Sequence, residues 1–381
     1  MKTLRLYYAT NRKHEGADRW EPTGYGTKFS DDGAENLRFG RVELDVDPAI
    51  LRKHLGARIK GMGTGNGNGL ADALKPLVAR ARIKAYLEAI DPTRPDTMQP
   101  GAKFGSVAMF ADLKETMMKC SDVLVYIHGF NVSWSDAVAS ALALQEQLNR
   151  ADEGKPEQEI LVVLFTWPSN GKALPYVSYK SDRVDARASG GAVGRAFLKA
   201  RDFLQEIRTR DKKGEDEACS QELHLLCHSM GNFVLQCALE RMFEFTPGNT
   251  FPRMFEHIFL CAPDVDDTVL EAGQPLGSVH ELAQHVTVYA NRDDVAMYTS
   301  DYTKGNPERL GHRGPARPAL LHNKVHSVDC SPIVGGLVEH SYYMDGTVNQ
   351  DLRYSIASVP FDARVRKRTR DRDLPNVWKM K

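Results

Sequence analysis

From residue 120 onward the apolar positions follow a repeating order. Residues 122–127 form a short apolar run with the length of a strand, and residues 135–150 carry Val138, Leu142 and Leu148 at spacings that share one helical face. Residues 159–165 are continuously apolar, the pattern of a strand covered on both faces. The pattern then predicts a long helix over 187–208, a strand at 222–227, a helix at 232–243 and a strand at 257–262. A short helix is expected around 282–284, a strand at 285–290, a last strand at 324–328 and a closing helix at 348–358. Strand and helix in alternation predict an α/β fold, with a mostly parallel central sheet and helices on both faces.

The first third is less regular. Residues 4–9 and 41–46 read as strands separated by a polar stretch from 11 to 35. The glycine-rich run 61–69 has neither a following Gly-Lys-Ser/Thr nor GxGxxG spacing, so it reads as a loop or hinge rather than a phosphate cradle. Residues 70–90 are rich in alanine and leucine and read as a helix, broken by the prolines of 91–100. The expected organisation is residues 1–119 as N-terminal strands with a flexible or helical insertion packed on the core, acting as an extension or cap. Residues 120–360 form the catalytic core, and residues 361–381 a solvated basic tail containing Arg364, Arg366, Lys367, Arg368, Arg370 and Arg372.

Composition narrows the class. The chain has 381 residues, with 42% hydrophobic and 26% charged positions, and 50 basic residues balance 50 acidic ones. That balance gives no electrostatic reason to expect nucleic acid as a partner. No run approaches the ~20 apolar residues of a membrane helix, and the N-terminus alternates like a strand, without the apolar run of a signal peptide. A cytoplasmic setting is therefore expected. Six cysteines without a CxxC pair form neither a disulfide framework nor a zinc spacing. Cys227, Cys237 and Cys261 lie in apolar runs and read as small buried thiols. No cofactor or metal site is expected.

In an open parallel sheet, chemistry gathers beyond the carboxyl ends of the strands. The strand at 222–227 runs into Cys227, His228, Ser229, Met230 and Gly231, followed by an amphipathic helix. This is the context of a nucleophile elbow, in which a tight turn lifts a serine hydroxyl clear of the sheet. Cys227 stands where glycine is usual. A serine nucleophile needs a base, and the base an orienting acid, in the chain order Ser, Asp, His. Asp294 follows the strand at 285–290 and is the favoured acid, with Asp293, Asp264 and Asp266 as rivals. His340 is the favoured base over His322 and His326, whose four-residue spacing falls in loop and strand rather than on a metal-binding helix. The oxyanion donors are expected to be the N–H groups of Met230 and of Phe130, in the loop His128, Gly129, Phe130, Asn131. Trp167, Tyr176, Tyr179, Tyr342 and Tyr343 are candidates for pocket walls or core.

These segments carry a resemblance. Residues 8–12 (Tyr-Ala-Thr-Asn-Arg), 128–131 (His-Gly-Phe-Asn), 165–171 (Phe-Thr-Trp-Pro-Ser-Asn-Gly), 227–231, 262–266 (Ala-Pro-Asp-Val-Asp) and 289–294 (Tyr-Ala-Asn-Arg-Asp-Asp) resemble the bacterial "alpha/beta hydrolase of unknown function" family, a lipase- and esterase-like group. The resemblance implies the α/β-hydrolase fold, with Ser229 as nucleophile, Asp294 as acid and His340 as base. The expected activity is hydrolysis of a carboxylic ester or related acyl bond of a small molecule through an acyl-enzyme. Two readings compete with it: a hydrolase-fold binding or scaffold protein that has lost catalysis, and a cysteine enzyme using Cys227.

Overall fold

A computed structural model describes residues 1–89, 101, 103–118, 122–151, 159–169, 175–212, 221–246, 250–297, 308–334 and 340–381. In chain order the strands are β1 (Lys2–Thr10), β2 (Arg12–Glu15), β3 (Gly24–Phe29), β4 (Arg38–Val46), β5 (Arg58–Ile59), β6 (Gly63–Thr64) and β7 (Arg82–Ala85). They continue with β8 (Asp122–Ile127), β9 (Ile160–Thr166), β10 (Leu223–His228), β11 (Phe255–Cys261), β12 (Ala283–Ala290), β13 (Val325–Asp329), β14 (Arg368–Arg370) and β15 (Val377–Met380). The helices used below are α1 (Pro48–Leu55), α2 (Gly67–Leu74), α3 (Gly105–Met117), α4 (Trp134–Leu148), α5 (Pro175–Lys212) and α6 (Gly231–Phe243), with a closing helix at Gly346–Ile356.

Among the described residues, eleven strands join in one sheet in the order β14-β15-β13-β12-β11-β10-β8-β9-β1-β4-β7. From β1 across to β15 every pairing is parallel, while β4, β7 and β14 are antiparallel additions at the edges. Alternation along the strands divides the core in two. On β8, Leu124 and Tyr126 enter the cluster shared with α2, α4 and the closing helix, whereas Val123 and Ile127 enter the cluster shared with α3, α5 and α6. This is the α/β-hydrolase fold. Among the described residues no helix is long and apolar enough to cross a membrane.

The structure corrects four local expectations. The helix expected over 70–90 ends at Leu74, becomes a 3-10 turn at Lys75–Arg80 and gives way to β7. Pro76 ends the α-helical hydrogen bonding, and Ile83 and Ala85 alternate inward with Arg82 and Lys84 outward, a strand period. The glycine run is not an open hinge. The N–H groups of Gly67 and Asn68 donate to Asp345 at 2.6 and 3.1 Å, and a Cβ on Gly65 would lie 1.9 Å from an Arg150 nitrogen. The short helix expected near 282–284 is a 3-10 turn at Val279–Glu281, with β12 starting at Ala283.

The last correction concerns the C-terminus, which is not a solvated tail. It adds β14 and β15 to the sheet, and Arg366 and Arg368 reach the buried Asp351 at 2.8 and 3.0 Å, where Tyr289 also donates. Their charge is satisfied inside the protein, which a linear reading of a basic run does not reveal. The N-terminal strands are likewise continuous with the core, since β1 lies directly beside β9.

At the start of the parallel strands, His224, His257 and His285 stand side by side, with ring centroids 5.6 and 5.1 Å apart. Burial, followed by its histidine neighbours, brings His257 down to about 2, and burial followed by Arg12 brings His128 down to about 3. Both are neutral in the fold but protonate in the unfolded chain below about 6.5. Their contribution is therefore complete above about pH 6.5 and is lost as the pH falls toward their folded values, by up to about 1.4 kcal/mol per pH unit for each. Thermal melts between pH 7.5 and 4.5 are expected to show that decline, with a shallower acid limb in His257→Phe; an identical limb would refute the assignment.

Candidate active site

The segment after β10 turns sharply into α6. Ser229 sits at the turn with φ +53°, a left-handed conformation that is strained for a residue with a side chain. The surrounding backbone over-determines it. Its N–H donates to Cys261 O at 3.0 Å, and its carbonyl accepts from the Asn232 N–H at 3.0 Å, the Asn232 side chain at 3.0 Å and the Asp264 N–H at 3.2 Å. Asn232 also donates to Cys227 O at 3.0 Å, tying both sides of the turn together. Sequence reasoning missed Asn232, which reads there as the first position of the helix after the turn.

Two glycines make the close approach feasible. A Cβ on Gly129 would fall 2.7 Å from Ser229 Cβ and 3.2 Å from its Oγ, and a Cβ on Gly231 would fall 2.6 Å from Ile127 O. The loop after β8 therefore lies directly against the serine. Among the described residues, neither the Phe130 N–H nor the Met230 N–H is taken by a protein acceptor. Cys227 is fully buried in the core beneath α5 and α6, and burial pushes its thiol far up, so it offers no thiolate to the site.

His340 and Asp294 come together. His340 Nδ1 is 2.7 Å from Asp294 Oδ2. Asp294 is 1% exposed, and its other oxygen accepts the N–H groups of Ala296 and Met297 at 3.0 and 3.2 Å. His340 lies beside the elbow: its ring centroid is 4.7 Å from that of His228, whose Nε2 is 3.3 Å from the His340 carbonyl. Burial, then the neighbouring His340, lowers His228 well below the ordinary histidine range, so it packs there as a neutral ring. Among the described residues Ser229 Oγ makes no hydrogen bond to His340; such contacts often tighten only when substrate binds.

The rival residues have other surroundings, although the Asp264 backbone touches the elbow. Asp264 and Asp266 face Arg309, at 3.3 and 2.5 Å. Asp293 is exposed. His322 stacks on His280 at the surface, and His326 packs on Phe361 near the start of β13. Of the aromatic candidates, Trp167, Tyr179, Tyr342 and Tyr343 are buried core residues, and the side chain of Tyr176 lies outside the described residues.

A second set of residues, also missed, holds the loop after β8. Arg12 is fully buried. It donates from Nε to Thr166 Oγ1 at 2.9 Å and from its terminal nitrogens to Val132 O at 2.7 Å and Gly26 O at 3.1 Å. Burial lowers it to about 9, opposed by Asp182 and Asp136, so it stays charged at neutral pH. Thr166 Oγ1 is in turn 2.9 Å from His128 Nε2, and His128 Nδ1 is 2.9 Å from Gly129 O. A carbonyl accepts only, so Nδ1 carries the proton and Nε2 accepts. The Gly129 carbonyl and the Phe130 N–H share one trans peptide, and fixing the first aims the second the opposite way. Asp182 adds a brace by accepting from Ser169 Oγ at 2.5 Å and from the Asn131 N–H at 3.3 Å. Asn131 is itself left-handed, with φ +60°.

Residues 107–352 match the family described as "Alpha/beta hydrolase of unknown function". The chain is also similar to the uncharacterized protein alr1448 of Nostoc sp. (strain PCC 7120 / SAG 25.82 / UTEX 2576), at 23% identity over 352 residues, which covers 74% of this chain and 84% of that protein.

Proposed function

The chain belongs to the alpha/beta hydrolase family of unknown function, and from that premise we propose that it is a serine hydrolase cleaving a carboxylic ester, or a related acyl bond, of a small molecule. The observation that carries this reading is the 2.7 Å contact between His340 and the buried Asp294, made beside a strained turn that presents Ser229. Ser229 Oγ attacks the acyl carbonyl as His340 Nε2 takes its proton, while Asp294 holds the imidazole in the tautomer that leaves Nε2 free to accept. The developing oxyanion is received by the N–H groups of Phe130 and Met230. His340 then protonates the departing alcohol, and water, deprotonated by the same imidazole, releases the acid from the acyl-enzyme.

The test is active-site labelling. A fluorophosphonate probe is expected to modify the folded protein stoichiometrically, with the adduct on the peptide carrying Ser229. Well-folded protein that takes up no label, or takes it elsewhere, overturns the proposal in favour of the binding-protein reading. A series of p-nitrophenyl esters of rising chain length then defines the acyl group.

A further inference from the structure

We propose that Asp122, Glu222 and His224 form a binding site for one divalent transition-metal ion, at the opposite end of the strands from the elbow. β8 and β10 are neighbouring parallel strands in the register Val123 to Leu223. Strand alternation therefore sets Asp122 beside Glu222 and places His224 one pleat further along the same face. Glu222 N–H donates to Asp122 Oδ1 at 2.7 Å, which leaves Oδ2 directed at His224. That oxygen is 3.8 Å from His224 Nε2, too far for a hydrogen bond. One ligand atom from each of the three residues lies within 4.8 Å of the others.

The histidine points to a ligand independently of the carboxylates. His224 is fully buried, and neither ring nitrogen has a hydrogen-bond partner among the described residues. A buried imidazole left in this state bears the desolvation cost of its polar atoms with no hydrogen bond to offset it, and a metal on Nε2 relieves it. Metal–nitrogen and metal–oxygen bonds of about 2.0–2.2 Å put tetrahedral ligands about 3.4 Å apart. The observed 3.8 Å gap closes with a small side-chain shift. One imidazole and two carboxylates balance a double positive charge and suit zinc, cobalt or manganese, whereas magnesium and calcium favour oxygen-only shells. Arg253, whose charge is felt at Glu222, is paired with Glu256 at 2.7 Å. The ligands come from strands 100 residues apart, so no spacing motif announces them.

The test uses the tag-free full chain with zinc chloride or cobalt chloride as the only added ligand. Calorimetry and elemental analysis are expected to give one metal per chain, a raised Tm, and a cobalt absorption spectrum. Asp122→Asn and the more exposed Glu222→Gln should each weaken binding roughly tenfold or more, with far-UV circular dichroism unchanged. Ser229→Ala should bind as wild type does. Absence of saturable uptake by folded wild-type protein, or equal affinity in both carboxylate variants, overturns the site. Either result leaves the hydrolase proposal untouched, because its readout is the serine adduct.

Discussion

Ser229→Ala is expected to lower kcat for ester hydrolysis on the order of 10⁵-fold or more, since nucleophile and base act as one unit. The same dependence makes the losses non-additive: Ser229→Ala combined with His340→Ala should be no slower than Ser229→Ala alone. Asp294→Asn should cost about 10⁴-fold, because an amide in that position no longer enforces the Nδ1–H tautomer of His340. The fold should survive all three changes. A companion variant separates chemistry from strain. Ser229→Gly removes the same hydroxyl but enters φ +53° without a Cβ penalty. It is expected to be as inactive as Ser229→Ala and to melt at a higher temperature. Steady-state kinetics on p-nitrophenyl acetate with thermal melts measures both. Activity in Ser229→Ala within tenfold of wild type would remove the serine from the mechanism.

Arg12→Met is expected to lower kcat about 10²-fold with KM within a few-fold, and to destabilise the protein by about 3 kcal/mol. Arg12 sits far upstream in sequence, yet it leads through Thr166 and His128 to the carbonyl of Gly129, and so to the direction of the Phe130 N–H. An oxyanion donor acts on the transition state rather than on bound substrate, which is why the loss falls on kcat. Lysine should not rescue, because a single ammonium cannot span Thr166, Val132 and Gly26 as the guanidinium does. Thr166→Val breaks the relay while leaving the charge in place, and a kcat loss there without a matching stability loss separates aiming from folding. Full kcat in a folded Arg12→Met protein would refute this role.

Much of the site was legible because its residue types recur at strand ends. The elbow from Cys227 to Gly231, the loop from His128 to Asn131 and Asp294 each follow an apolar run that forms a strand, whereas His340 was picked out by the glycine loop before it and by the resemblance. Less legible were residues whose contacts are remote. Asn232 looked like an ordinary helix position, although it locks the turn. The basic run near the C-terminus looked solvated, yet two of its arginines, Arg366 and Arg368, close on Asp351 inside the fold. The alanine-rich stretch after Gly69 carries both helix-forming composition and a strand-period ending, and pairing with β4 decided in favour of the strand.

The sequence by itself determined the periodic elements, their parallel α/β arrangement and the order in which serine, aspartate and histidine follow one another. Those features are local: strand and helix periods are written in neighbouring side chains, and a turn is written in the few residues that make it. Only the tertiary structure decided that Asp294, rather than Asp264 or Asp266, faces His340, because Arg309 lies against the other two. It alone brought Arg12 to the loop after β8 and His224 to Asp122. Such meetings depend on strand order and register across the sheet, set by the packing of the whole core rather than by any local run of residues.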